Sequence, residues 1–184
     1  MEEIKIILVP EAELTPSQKE SIFKLQKECF SDVDRQSIEE DFIAESFARM
    51  FASTGQEIVG TLRLFKREII FSGKKILLGG LGGTCVTKSS RRKGVANKML
   101  KKGLEILKQE ECDLACLNVD LKKQAYKLYE NVGFKLMKRK ISFENSKGKI
   151  KFDTGTMFIP VCSKQIYDCV MKSKETFHYG RGYW

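Results

Sequence analysis

Many of the side chains and motifs on which enzyme chemistry commonly rests are scarce or missing in this chain of 184 residues. It has one histidine, His178, one tryptophan, Trp184, and three prolines. With a single histidine far along the chain, no His-paired nucleophile can be read near Cys85, and Cys112 and Cys116 lack the second pair of ligands that a zinc site needs. No metal is expected. No run of 18 apolar residues occurs, so no membrane span is expected. The opening MEEIKIILVP carries two glutamates where a secretion signal needs positive charge. The six cysteines (Cys29, Cys85, Cys112, Cys116, Cys162 and Cys169) lack the density of a disulfide framework. Without a secretion signal they are expected to be reduced, in a cytoplasmic protein. Two phosphate motifs are also missing. Gly94 follows its lysine with no serine or threonine after it, which excludes a P-loop, and Gly80, Gly82 and Gly83 lie inside an apolar strand without the third glycine of a dinucleotide turn. There is no repeat, low-complexity linker or boundary, so residues 1–184 read as one α/β domain with a single core.

What the chain does have is uneven charge. Its net charge is +9, yet residues 28–45 hold seven carboxylates against Arg35 alone. A basic body with one acidic segment points to two partners of opposite charge, the plainer alternative being solvated surface.

Periodicity gives a strand at 4–9 and then a helix over roughly 16–29. Thr15 is its cap, Pro16 takes its first position, and Gln18 completes a capping box. A short helix is expected near 37–44. Three antiparallel strands follow: FARMFAST, QEIVGTLRLFKREIIF and KILLGGLGGTCVT. Residues 94–110 return to helical spacing, 112–119 form a strand, and 122–131 form a helix ended by Asn131 and Gly133. FKLMKRKISF and IKFDTGTMFIPV read as two more strands. Beyond 163 only a short helix at 165–172 is expected. This order argues a mixed, mostly antiparallel sheet of about seven strands with helices on both faces.

The most informative stretch is VTKSSRRKGVANKML, residues 86–100. Arg91, Arg92 and Lys93 stand at the start of a helix, where the dipole already favours anions. The backbone N–H groups of residues 93–97 have no acceptor within the helix, and Gly94 and Ala96 present almost no side chain. A pyrophosphate there would supply the missing counter-charge. A solvated basic turn and a nucleic-acid contact are the alternatives for such a short cluster.

The wider pattern reads Arg91-x-x-Gly94-x-Ala96 after an apolar strand, with A-Y-K-L-Y-E-N-V-G-F following at residues 125–134. Together these resemble the GNAT superfamily of acetyl-CoA-dependent N-acetyltransferases. The resemblance implies the GNAT fold, with strands 80–87 and 113–119 splayed apart at the centre of the sheet. It implies that the co-substrate is acetyl-CoA. Its pyrophosphate would lie on Arg91, Arg92, Lys93, Gly94, Val95 and Ala96, and its pantetheine arm along Thr84, Cys85 and Val86. Glycines at 79, 80, 82 and 83 would admit that arm. Tyr129 would protonate the leaving sulfur while an amine attacks the thioester directly, so Cys85 is read as a strand residue and not a nucleophile.

The tail, with F-D-T-G-T-M-F-I-P and a final Gly-Tyr-Trp, is similar to aminoglycoside 2′-N-acetyltransferases. That likeness implies a cationic acceptor held by Asp32, Asp34, Asp153, Gly82, Gly83 and Trp184. The sequence departs from that family in three places. Gly82 stands where those enzymes carry a glutamate, Arg181 stands where an anion is expected, and Lys122 replaces an asparagine. The expected partner is therefore a small-molecule amine, with no nucleic acid and no membrane, and with a possible homodimer. A catalytically degenerate GNAT domain, or a basic nucleic-acid-binding module, is the alternative.

Overall fold

A computed structural model of the chain describes residues 3–31, 34–55 and 57–184. Four strands pair antiparallel in chain order: β1 (Ile4–Pro10), β2 (Ala48–Thr54), β3 (Glu57–Phe71) and β4 (Lys74–Val86). Ser72 and Gly73 turn β3 into β4 with φ of 48° and 71°. Two positive φ values in a two-residue loop match the natural twist of the strands they join. The chain then crosses over through α3 (Val95–Gln109) to β5 (Leu114–Asn118), which runs parallel to β4.

The helices form where local signals place them. In α1 (Pro16–Cys29), Gln18 N donates to Thr15 Oγ1 at 3.2 Å and Thr15 N donates to Gln18 Oε1 at 2.9 Å, closing the capping box. A short α2 (Arg35–Asp41) follows. Helix α3 buries Val95, Met99, Leu100, Gly103, Ile106 and Leu107. A side chain at Gly103 would start 2.8 Å from Leu81 Cδ2, so glycine lets α3 lie close to the sheet. Helix α4 (Ala125–Val132) begins three residues later than its spacing predicts, because Asp120 first holds a turn with the amides of Lys122 and Lys123. Gly133, at φ 115°, ends it.

Two expected strands each divide between two sheets. In FKLMKRKISF, β6 (Lys135–Leu136) stays in the large sheet while β7 (Ile141–Glu144) leaves it, and the polar Lys138–Lys140 run lies between. IKFDTGTMFIPV breaks into β8 (Ile150–Asp153) and β9 (Thr156–Pro160) at Gly155, where φ is 97° and a side chain would start 2.4 Å from the Val119 carbonyl oxygen. The tail also holds more structure than expected. After α5 (Lys164–Lys172) it forms β10 (Phe177–Arg181), parallel to β7.

The large sheet therefore has seven strands in the order β1-β2-β3-β4-β5-β9-β6, and a small one has the order β10-β7-β8. One face of the large sheet packs on α3 and α4 around Leu62, Met99, Leu100 and Phe134. On the other face lie α1, α5 and the small sheet, where Phe177 and Tyr179 of β10 and Tyr183 just after it pack in one cluster with Phe65 and Phe158. One face thus carries a second sheet as well as helices.

Candidate active site

Strands β4 and β5 pair only at Leu78–Leu114, Gly79–Ala115 and Gly80–Cys116. Beyond that point β4 keeps its bonds to β3, while β5 turns its other edge to β9. The two strands part, as expected, and open a gap in the middle of the sheet. At the same point β4 carries a bulge: Thr61 faces Cys85 and Arg63 faces Gly82, so Gly83 and Thr84 together oppose Leu62. Gly83 takes φ of 59° there, which is the physical need for glycine.

Helix α4 brings Tyr129 to this bulge. The ring is 8% exposed and packs edge-on against Phe134. Burial holds its hydroxyl above the usual tyrosine range, and the hydrogen-bonding approach of the Thr84 side chain acts the other way. The phenol is a proton donor at neutral pH.

At the far end of β4 the chain passes through a turn at Lys88–Ser90 into α3. Gly94 caps α3 at φ of 78°, with no side-chain hydrogen bond to the first helical amides and nothing within 4 Å of where a side chain would begin. Lys88, Arg91, Arg92 and Gln124 line a hollow of about 530 Å³ beside it. A helix start without a side-chain cap, cations and open space come together here, a combination that suits an anion. Lys88 and Gln124 were not singled out in the sequence. Lys88 belongs to the same charge run, but Gln124 is the residue that precedes α4 and only folding brings it there. Arg91 also serves the scaffold, since its Nε donates to the Val86 carbonyl at 3.1 Å.

Cys85 departs from expectation. It is bonded to Cys29, the last residue of α1, instead of being a reduced strand residue. The two cysteines lie 56 residues apart, and the sequence gives no local signal for their meeting.

The strand glycines also serve a different purpose. A side chain at Gly79 would start 3.0 Å from Leu107, and one at Gly80 would start 2.2 Å from the Trp184 indole. One at Gly82 would start 3.0 Å from Phe65 and 3.1 Å from the Trp184 main chain. These positions are small to admit the protein's own core and tail. At Gly82 the tail leaves little room for a longer side chain.

Trp184 is 5% exposed, stacked on Phe65 at 5.1 Å and tilted against Tyr179 at 4.4 Å, with the Arg67 guanidinium 4.9 Å from its ring. Its carbonyl accepts from Asn118 Nδ2 at 2.7 Å. Asn118 stands where β5 leaves β4, and its Oδ1 accepts from Thr156 Oγ1 at 2.7 Å. Nothing in the sequence singled out Asn118. Asp153 accepts from the Tyr183 hydroxyl at 2.9 Å, so this carboxylate already has a partner in the fold. Burial first, then the neighbouring Asp153, pushes the Tyr183 hydroxyl well up.

Asp32 lies outside the described residues. Asp34 precedes α2, with its carbonyl accepting from Ile38 N at 3.1 Å. Elsewhere in the acidic segment, Glu40 pairs with Lys147 at 2.6 Å and Asp41 with Lys151 at 2.9 Å. Part of this charge is neutralised against the small sheet. Among the described residues no helix is long and apolar enough to cross a membrane.

A parallel pair splayed at a bulge, a buried phenol at the opening and, past the end of β4, a helix start without a side-chain cap characterise this α/β fold. Residues 12–137 match the family described as acetyltransferase (GNAT) domain. The chain belongs to the GNAT acetyltransferase family. No curated protein matches the sequence. Among solved structures, ElaA of Escherichia coli is similar at 17% identity and a TM-score of 0.62, over 85% of this chain and 97% of that one. A GNAT family acetyltransferase from Brucella melitensis, in complex with acetyl-CoA, is similar at 15% identity and 0.53, over 85% and 88%. A GCN5-related N-acetyltransferase from Kribbella flavida is similar at 15% and 0.55, over 73% of this chain and 34% of that protein. The chain thus spans about a third of the Kribbella protein. At these identities the likeness is one of fold.

Proposed function

We propose that this chain transfers the acetyl group of acetyl-CoA to a primary amine of a small, cationic acceptor. The observation that carries this reading is the placement of Tyr129 at the β4 bulge, beside the gap between β4 and β5. The residues fit the co-substrate. The hollow beside Gly94 suits a diphosphate, with Arg91, Arg92 and Lys93 supplying charge and the amides of Val95 and Ala96 supplying donors. The pantetheine arm would follow the free edge of β4 along Thr84, Cys85 and Val86.

In the reaction the neutral amine nitrogen attacks the thioester carbonyl, a C–N bond forms and the C–S bond breaks. The sulfur leaves with the electron pair and takes the Tyr129 proton, while the proton shed by the attacking nitrogen passes to solvent and a proton from solvent restores the phenol. A main-chain N–H near Cys85 or Val86 polarises the carbonyl as charge develops. With both sulfurs of the Cys29–Cys85 pair bonded, no thiol is available there for a covalent intermediate, in keeping with direct transfer. Gly82, Gly83 and the Trp184 main chain would wall the acceptor side, with Asp32 and Asp34 as candidate contacts for cationic groups. The paired state of Glu40, Asp41 and Asp153 favours a modestly charged amine over a polycationic aminoglycoside.

An acceptor screen with simple amines, polyamines and aminoglycosides, read by release of free CoA, tests the proposal. At least one amine is expected to turn over. Failure of every amine, together with no binding of acetyl-CoA in calorimetry, would overturn it.

A further inference from the structure

We propose that Cys29 and Cys85 form a thiol–disulfide exchange site for low-molecular-weight thiols and their disulfides, entered through Cys29, whose oxidised state holds the acetyl-CoA groove in its binding form. The exchange site stands on its own geometry, and its link to the groove rests on the acetyl-CoA reading above.

The bridge ties the end of α1 to the stretch of β4 that borders the gap, one residue past Thr84. Cys85 is 2% exposed while Cys29 is half-buried, so a reagent from solvent reaches the Cys29 sulfur first. Arg91 Nη2 lies 3.8 Å from that sulfur. A guanidinium there favours the thiolate, the nucleophile of exchange. The same arginine holds the Val86 carbonyl and lines the anion hollow, so one cation touches the bridge, the end of β4 and the phosphate site. The remaining cysteines differ. Burial pushes the Cys112 thiol up to about 11 and the Cys116 thiol to about 12, whereas Cys162 is exposed and Cys169 half-buried.

Reduction begins when an external thiolate attacks Cys29 Sγ. The protein S–S bond breaks, a mixed disulfide forms on Cys29, and Cys85 leaves with the electron pair and takes a proton. A second external thiolate attacks the outer sulfur and releases the small disulfide, leaving the Cys29 thiolate beside Arg91. Two external thiols are oxidised and one protein disulfide is reduced. Oxidation is the reverse, with the Cys29 thiolate attacking a small disulfide such as oxidised glutathione. Opening the bridge unties α1 from β4 and lets the Cys29 sulfur, with the Arg91 that rests on it, move apart from Cys85, so the groove loses its preset edge.

The test uses the full chain with Cys162→Ser and Cys169→Ser, equilibrated in glutathione buffers of graded ratio, quenched in acid, alkylated and weighed. Two thiols are expected to appear together in one transition and to map to Cys29 and Cys85. In the further variant Cys85→Ser, glutathione is expected on Cys29. Two free thiols at every ratio, a bridge indifferent to every ratio, or glutathione only on Cys112 or Cys116 would overturn the exchange site. Calorimetry of acetyl-CoA without acceptor then compares the two forms, and the bridged form is expected to bind several-fold tighter. Equal affinities would overturn the link to the groove. If neither form binds acetyl-CoA, the proposed function fails, while the mass measurements still decide the exchange site.

Discussion

Tyr129 and Gly82 show how single residues are fixed by their surroundings. Burial holds the Tyr129 hydroxyl above the usual tyrosine range beside Thr84, and in the proposed reaction this residue serves the leaving group and not binding. Replacing it with phenylalanine is expected to lower kcat by roughly 10²-fold while acetyl-CoA affinity stays nearly constant. Steady-state kinetics with calorimetry check both. At Gly82 a side chain would crowd Phe65 and the Trp184 main chain, at 3.0 and 3.1 Å. Gly82→Glu is therefore expected to lower stability without raising turnover. Gly80→Ala faces a 2.2 Å clash with the Trp184 indole and is expected to cost about 1–3 kcal/mol or more, read by denaturant unfolding.

The elements meet through few but decisive ties. α1 is held by its capping box at one end and by Cys29 at the other. A bridge closing a loop of this length stabilises by about 4 kcal/mol in the chain-entropy account, an upper figure for a real protein. Reduction is expected to lower the melting temperature by several degrees, and Cys29→Ser is expected to match the reduced parent in a thermal melt. The α3 start shows the opposite economy, with no side-chain cap and three cations nearby. Substituting both Arg91 and Arg92 with alanine is expected to raise the acetyl-CoA KM by at least tenfold with a smaller change in kcat.

Across the whole molecule, charge decides which partners persist in salt. A diffuse basic surface holds DNA by counterion release, which weakens steeply between roughly 50 and 200 mM salt, whereas a built diphosphate site loses less. Acetyl-CoA is expected to raise the melting temperature at both salt concentrations, and any shift with DNA is expected to vanish at the higher one. Stability should also report Glu11, which fastens the turn after β1 to Arg49 at 2.9 Å and accepts from Ser46. Burial raises its pKa, but the hydrogen bonds from Arg49 and Ser46, with the charges of Arg49 and Arg63, hold it below the ordinary carboxylate value. A lowered folded-state pKa gives stability that is present above the unfolded value and lost as pH falls through the acid carboxylate range. Glu11→Gln is expected to flatten that part of the stability–pH curve.

The antiparallel strands, the Thr15 cap, the α3 face and the basic turn were all legible in the chain. Each depends on residues within about one turn or one hairpin, where period, cap and turn chemistry act locally. The family resemblance came from two such local patterns. Tertiary structure decided the rest. Cys29 meets Cys85 across 56 positions, and Gly80 and Gly82 are small because Trp184 arrives from the far end of the chain. The runs at 134–143 and 150–161 split because their halves find partners in different sheets. A sequence carries the local preferences of its neighbours, but which distant surfaces bury one another is settled only when the whole chain packs.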